Sequence, residues 1–276
     1  MYDRILVPTD GSRSAEAAAR HGVVLAKAFD ASLHVISVVA GRERGEQLSE
    51  PQARDAVARV EALVEDAGVG CRSTVEHGRP HEAILSYASA TDVDLVVMGT
   101  HGRGGLSRLL VGSVADRVIR SSDDPVVAVP PRAIDRETER YQRVLLPTDG
   151  GPAAGAAVEH ALSIAERMGA TVRVLGVIEG VTGLPSLGDP LREAATEAVE
   201  AVAERASDRE VTLTTHVQPG TPHEVINRFA TAHGIDLVAM GTHGRSGVRR
   251  QLLGSVTDRV VRTSDVPVLT VRQDTG

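Results

Sequence analysis

Lysine is almost absent from this 276-residue chain: of its 30 basic residues only Lys27 is lysine, and it follows Ala26 in an alanine-rich stretch. A Walker-type phosphate loop needs its lysine directly after glycine, and a receiver domain needs one after its fifth strand, so neither mechanism can operate. A single cysteine, Cys71, can form neither an intrachain disulfide nor a multi-cysteine metal centre, which fits a reducing compartment. Tryptophan is missing, and three Tyr and two Phe are the only aromatic residues. Stacking platforms for single-stranded nucleic acid have almost nothing to be built from. The net charge of -7 offers no global positive field to nucleic acid or to an anionic membrane. No apolar run approaches the roughly 18 residues of a membrane span, and Met1-Tyr2-Asp3-Arg4 leads into Ile5-Leu6-Val7 with no signal-peptide core. The expectation is a cytoplasmic protein that binds neither nucleic acid nor membrane.

What the chain does have is a copy of itself. Leu6-Val7-Pro8-Thr9-Asp10-Gly11 is answered by Leu145-Leu146-Pro147-Thr148-Asp149-Gly150 at an offset of 139 residues. From Gly99 to Pro130 and from Gly241 to Arg272, at an offset of 142, 20 of 32 aligned positions are identical. Two globular domains are therefore expected, 1–131 and 143–276, joined by a connector 132–142 rich in Arg and Glu.

Within each half, short apolar runs alternate with amphipathic stretches at helical spacing, the signature of βαβ units and a parallel sheet. Strands are expected at about Arg4 to Pro8, Leu33 to Val39, Arg72 to Glu76, Asp94 to Met98 and Pro125 to Val129. Ser12 precedes the first helix, Pro80 starts the third, and Ser113 is expected to cap the fourth. The fold class is α/β: two Rossmann-like doubly wound domains, each a five-stranded parallel sheet of order 3-2-1-4-5 with helices on both faces. The ligand crevice of such a sheet lies beyond the carboxyl ends of its strands, where the winding reverses between strands one and four.

The two loops at that reversal point carry small, polar and glycine residues. Gly99-x-x-Gly102 is followed after nine residues by Gly112-Ser113, and Gly241-x-x-Gly244 after nine by Gly254-Ser255. Glycine lets backbone amides approach an anion, and a helix opening at Gly112-Ser113 presents its positive dipole end. Arg103 and Arg108, with Arg245, Arg249 and Arg250 in the second copy, add positive charge with no acid between the framing glycines. The arrangement suits a polyphosphate.

Pro8-Thr9-Asp10, Met98-Gly99-Thr100-His101-Gly102-Arg103 and Gly112-Ser113-Val114 together resemble the universal stress protein family, in its ATP-binding branch with the G-2x-G-9x-G(S/T) motif. The second copy resembles it too, through Pro147-Thr148-Asp149, Met240-Gly241, His243-Gly244-Arg245 and Gly254-Ser255-Val256. The resemblance covers nearly the whole chain, twice, as in tandem-domain members. It implies that Thr9 and Asp10 approach a nucleoside, that Val35 and Val174 meet adenine through their backbone, and that Gly99, Gly102, Gly112 and Ser113 hold ribose and phosphates. It further implies ATP with accompanying Mg2+ as ligand, pairing of the two fifth strands within one chain, and a possible homodimer. Gly151, standing where the first copy has Ser12, departs at a helix cap and leaves the site motif intact.

Other readings of these residues are plainer. Asp10 can serve as a helix cap. His101 and His243 line the loop. His81-Glu82 and His223-Glu224 lack the second histidine of a zinc-binding helix, so no metal-ligand set is expected. With no phosphate-loop lysine, no nucleophilic triad and no carboxylate pair for two metals, the residues favour nucleotide binding over turnover; the alternatives are a slow ATPase or nucleotidyl-transferring enzyme on the same fold, or a nucleotide-free interaction module.

Overall fold

Ile5, Leu6 and Val7 follow one another with no exposed surface, so the strand that they form is covered on both faces. The computed structural model describes residues 1–40, 48–102, 111–135, 139–179, 185–242 and 253–272, and the chain divides into two units, Met1–Arg140 and Tyr141–Gly276. In the first unit the order is β1 (Arg4–Pro8), α1 (Arg13–Phe29), β2 (Ser32–Val39), α2 (Glu50–Asp66), β3 (Cys71–His77), α3 (Pro80–Ala90), β4 (Leu95–Gly99), α4 (Ser113–Ser121) and β5 (Val126–Val129). The second repeats it with β6 (Arg143–Pro147), α5 (Pro152–Met168), β7 (Thr171–Ile178), α6 (Pro185–Arg205), β8 (Thr212–Pro219), α7 (Pro222–Ala232), β9 (Leu237–Gly241), α8 (Ser255–Thr263) and β10 (Val268–Val271).

All strand pairs described within each unit are parallel, in the orders β3-β2-β1-β4-β5 and β8-β7-β6-β9-β10. The first strand of each unit is therefore central, and its neighbours β2 and β4 are reached by crossovers in opposite directions.

Local chemistry sets the helix ends. The Ser12 hydroxyl accepts from the Ala15 amide at 3.2 Å to start α1, and Asp30 ends it in the left-handed region at φ 56. At α5 the cap residue is Gly151, which has no side chain to offer; Pro152 at the first helical position and Gly169 at φ 64 past the end do the work instead. Ser113 does not cap α4: Gly112 is the cap residue, and Ser113 is the first residue of the helix. The reason is a backbone bond described below, which fixes Gly112 in an extended conformation.

Two carboxylates bring the strands level. Asp94, just before β4, accepts from the Asp3 and Arg4 amides at 2.8 and 2.9 Å, and Asp236 accepts from Gln142 and Arg143 at 2.9 Å each. With Leu6 paired to Val96, Thr9 and Gly99 each lie three residues further on and emerge at one height. Tyr2 and Tyr141, both buried, lie close enough to these acids that burial first and the acid second push their hydroxyls well above the usual range.

His21, on the buried face of α1, has its imidazole pushed down to about 4 by burial. An unfolded chain takes up this proton near the ordinary value and the folded one resists it, so stability is lost as pH falls from about 6.5 to about 4. Urea denaturation should show wild type losing roughly 2–3 kcal/mol more than His21→Leu between about pH 7 and pH 4.5. Equal losses in the two proteins would show that His21 does not carry this dependence.

Candidate functional site

The loop after β1 is held by its own side chains. Thr9, buried, donates its amide to Ile36 O at 2.8 Å and accepts the Gly11 amide on Oγ1 at 3.2 Å. Asp10 Oδ1 accepts the Ser12 amide at 2.9 Å, and Gly11 sits at φ +74, where a side chain would be strained. The second copy reproduces this with Gly150 to Thr148 Oγ1 at 3.1 Å, Gly151 to Asp149 Oδ1 at 2.9 Å and Gly150 at φ +75. Asp10 therefore does not cap α1; it folds the turn that precedes the cap.

The loop after β4 is pinned at both ends. Thr100 donates its amide to Val129 O at 2.9 Å, and the Gly112 amide closes the loop on Thr100 O at 2.7 Å. In the second unit Thr242 and Gly254 make the same two bonds at 2.8 and 2.6 Å. Gly112 and Gly254 consequently spend their own amides and cannot give them to an anion, contrary to the expectation that the glycines themselves would cradle it. What they leave is a helix start with no side-chain cap. The Asp116 amide already reaches Gly112 O at 2.9 Å, so the amides of Ser113, Val114 and Ala115 are the first-turn donors that no carbonyl of the helix reaches. Ser255, Val256 and Thr257 stand likewise in α8. Ser113 and Ser255 are exposed, with Val114 and Val256 half-buried beside them.

Charge and close approach join the two loops. A Cβ on Gly102 would lie 2.7 Å from Asp10 Oδ2, so glycine is what lets the strand-four loop lie against this carboxylate. His101 is oriented through Nδ1, 2.9 Å from Thr100 Oγ1. Arg59, reaching from α2, places Nη2 2.6 Å from where a Cβ on Gly11 would be, a guanidinium at the crevice rim that no sequence motif flags. Arg103, Arg108, His243, Gly244, Arg245, Arg249 and Arg250 lie outside the described residues.

Two other groups of expected residues sit differently. A Cβ on Gly99 would meet Ser14 of α1 at 2.6 Å from Oγ and 2.7 Å from the carbonyl carbon, and one on Gly241 would overlap Ala153 of α5. These glycines admit a helix against the strand end, which is a packing requirement. Val35 and Val174 are wholly buried. Ile36 O and Leu175 O face the first strands, so by alternation Val35 and Val174 direct N–H and C=O at β3 and β8, opposite Ser73 and Thr215. The backbone contact to adenine expected there competes with a sheet ladder; only a second carbonyl lone pair is left for it. Pro8, Met98, Pro147 and Met240 are buried strand-end residues behind the loops. Thr100 and Thr242, buried and bonded at the loop's closing point, were given no role from sequence, although the two copies of Gly-Thr-His-Gly carry one each.

A doubly wound parallel sheet with helices on both faces, built twice in one chain, defines a tandem α/β protein of Rossmann-like topology. The universal stress protein family model matches residues 1–130 and again 140–272, and the chain belongs to that family. A universal stress protein of Mycolicibacterium smegmatis is 30% identical over 284 residues, covering 97% of this chain and 96% of that protein. One from Methanocaldococcus jannaschii is 36% identical over 140 residues, 47% of this chain and 82% of its own length. The crystal structure of a universal stress protein from Archaeoglobus fulgidus matches the fold with a TM-score of 0.76 at 21% identity, over 99% of this chain and 97% of that one.

Gly99 and Gly112 can be separated by stability. Gly99→Ala should cost about 1–3 kcal/mol, because the new methyl meets helix backbone. Gly112→Ala should cost far less: its Cβ would stand 3.3 Å from Thr100 O and its backbone, at φ -59 and ψ 144, suits any residue. Chemical denaturation of both variants checks the ranking, and a Gly99→Ala protein as stable as wild type would contradict it.

Proposed function

We propose that each half binds an adenine nucleotide, ATP with Mg2+, in the crevice between the strand-one and strand-four loops, and that the protein senses or buffers nucleotide with little or no turnover. The observation that supports this best is the bare start of α4 and α8. Three uncapped amides, a positive dipole end and an exposed seryl hydroxyl together suit a phosphate chain. Thr9, Asp10, Thr148 and Asp149 take the nucleoside end in this reading, and Gly102 and Gly244 let the strand-four loop close over the ribose. Val35 and Val174 contribute at most a carbonyl oxygen to the base. Arg103, Arg245, His101 and His243 flank the phosphates. In this reading Mg2+ enters with the nucleotide and is held chiefly by phosphate oxygens and water.

The motif these residues match is one of nucleotide binding, and slow hydrolysis stands as the alternative reading. We also propose domains 1–131 and 143–276 with a connector 132–142. The last two connector residues are anchored to the second unit, Tyr141 by burial and Gln142 by its amide bond to Asp236.

Titration calorimetry with ATP should count two sites in wild type, about one in Gly112→Val or Gly254→Val, and none in the double variant. The backbone angles at both glycines suit valine, whose branched side chain crowds the closing loop and the path to the first-turn amides. Two-site binding retained by the double variant, or no binding by wild type, would overturn the proposal.

A further inference from the structure

The two halves diverge most in chemistry away from the crevice, on the sheet face under α3 and α7. In the first unit this face is neutralised. Arg4 Nη1 donates to Thr91 O at 2.5 Å and lies 3.4 Å from Asp92 Oδ2, while Tyr87 OH bonds His34 Nδ1 at 3.1 Å. Arg72 stands beside His34 in register, and Glu76 four pairs along faces Val38.

Strand register and the matching Pro80 and Pro222 helix starts identify the equivalent residues in the second unit. Arg4 becomes Arg143, His34 becomes Arg173, Thr74 becomes His216, Tyr87 becomes Phe229 and Thr91 becomes His233. Both acids are lost, Asp92 to Gly234 and Glu76 to Gln218. The result is two guanidinium groups and two imidazoles at one place. Arg173 Nη1 lies 3.1 Å from His233 Nδ1, the His216 and His233 rings face each other at 6.1 Å, and Phe229 backs both. The Arg143 guanidinium lies 3.2 Å from where a Cβ on Gly234 would be, next to His233.

Neither arginine has a carboxylate partner among the described residues, and Nε of each is buried without a hydrogen bond. Of the acids on the packed elements, Asp236 gives Oδ2 to the Gln142 and Arg143 amides, and Glu224 is in the first turn of α7, at the far end from His233. The four basic residues are all half-buried, so the group is open to solvent. A half-buried pair of guanidinium groups without a counter-charge is costly unless an anion completes it.

We propose that Arg143, Arg173, His216 and His233 form an anion site for a small phosphate-class oxyanion, separate from the nucleotide crevice and present only in the second half. Planar guanidinium forks match the oxygen edges of phosphate, and imidazolium groups add donors as they protonate. Burial, and after it the neighbouring Arg173 and His233, hold the His216 imidazole below its ordinary range, so a bound oxyanion should raise it.

The test is an NMR titration of the histidine side chains in the full chain, with ATP present to occupy the crevices. Inorganic phosphate is compared with chloride at equal ionic strength, and phosphoserine serves as a monoester arm. Phosphate should raise the His216 and His233 midpoints by about half a pH unit or more over chloride. Arg173→Gln and Arg143→Gln should each reduce that rise, and His34 should not respond. A response to phosphoserine equal to that with phosphate would extend the site to phosphoryl groups; a response to phosphate alone would restrict it to the free anion. Identical midpoints in phosphate and chloride, or a rise that persists in both folded arginine variants, would overturn the proposal.

Discussion

Everything at the crevice depends on β1 and β4 ending at the same height. Two parallel strands joined by a long crossover have no turn to set their register, so something else must. In each unit an aspartate at the foot of the fourth strand takes two amides at the foot of the first. A carboxylate bound by two amides is a charge-assisted contact, stronger than the ladder bonds beside it. Displacing it by one residue would turn every side chain of a fully buried strand to the opposite face. The loops after Pro8 and Gly99 meet because the strands beneath them start together.

Glycine serves several distinct purposes around these loops. At Gly99 and Gly241 it admits a helix backbone, and at Gly102 it leaves room for the Asp10 carboxylate. At Gly112 and Gly254 it supplies an amide that shuts the loop while leaving the next three amides uncapped. A spacing pattern that reads as a single phosphate-binding motif thus divides into packing, approach and presentation. Loss of a Cβ is needed at Gly99, Gly241 and Gly102 for different neighbours, whereas at Gly112 the loop is closed by an amide that any residue but proline supplies.

The repetition lets each unit serve as a control for the other. The loop bonds of the two crevices agree within about two tenths of an ångström, whereas the α3 and α7 faces have exchanged neutral pairing for excess positive charge. A duplicated fold keeps what its architecture demands and is free to vary where only solvent or a ligand constrains it.

Much of this was legible in the chain itself. Both-sided burial leaves continuous apolar runs, so the expected strands end within a residue or so of those observed, and the 3-2-1-4-5 order of a doubly wound sheet is the one each unit builds. The strand-one and strand-four loops were recognised as neighbours for the same reason. Ser113 was mistaken for a cap because its type suits one, while the bond from Gly112 to Thr100 shifts the helix start by one residue. Backbone participation of Val35 was expected from likeness to a family, and strand alternation directs that backbone into the sheet. Arg59 reaches the crevice rim from a different helix, and no linear spacing encodes that approach.

Duplication and the alternation of apolar runs by themselves determined two like parallel α/β units and the ends of the strands that meet at the winding reversal. These properties depend on local periodicity and on burial, which a linear pattern records. Only the tertiary structure decided which amides are spent and which remain, which glycines face a helix, and that Arg143, Arg173, His216 and His233 gather without an acid. Hydrogen-bond partners and unpaired charges are relations between residues far apart in the chain, and those relations exist only once the strands have been laid side by side.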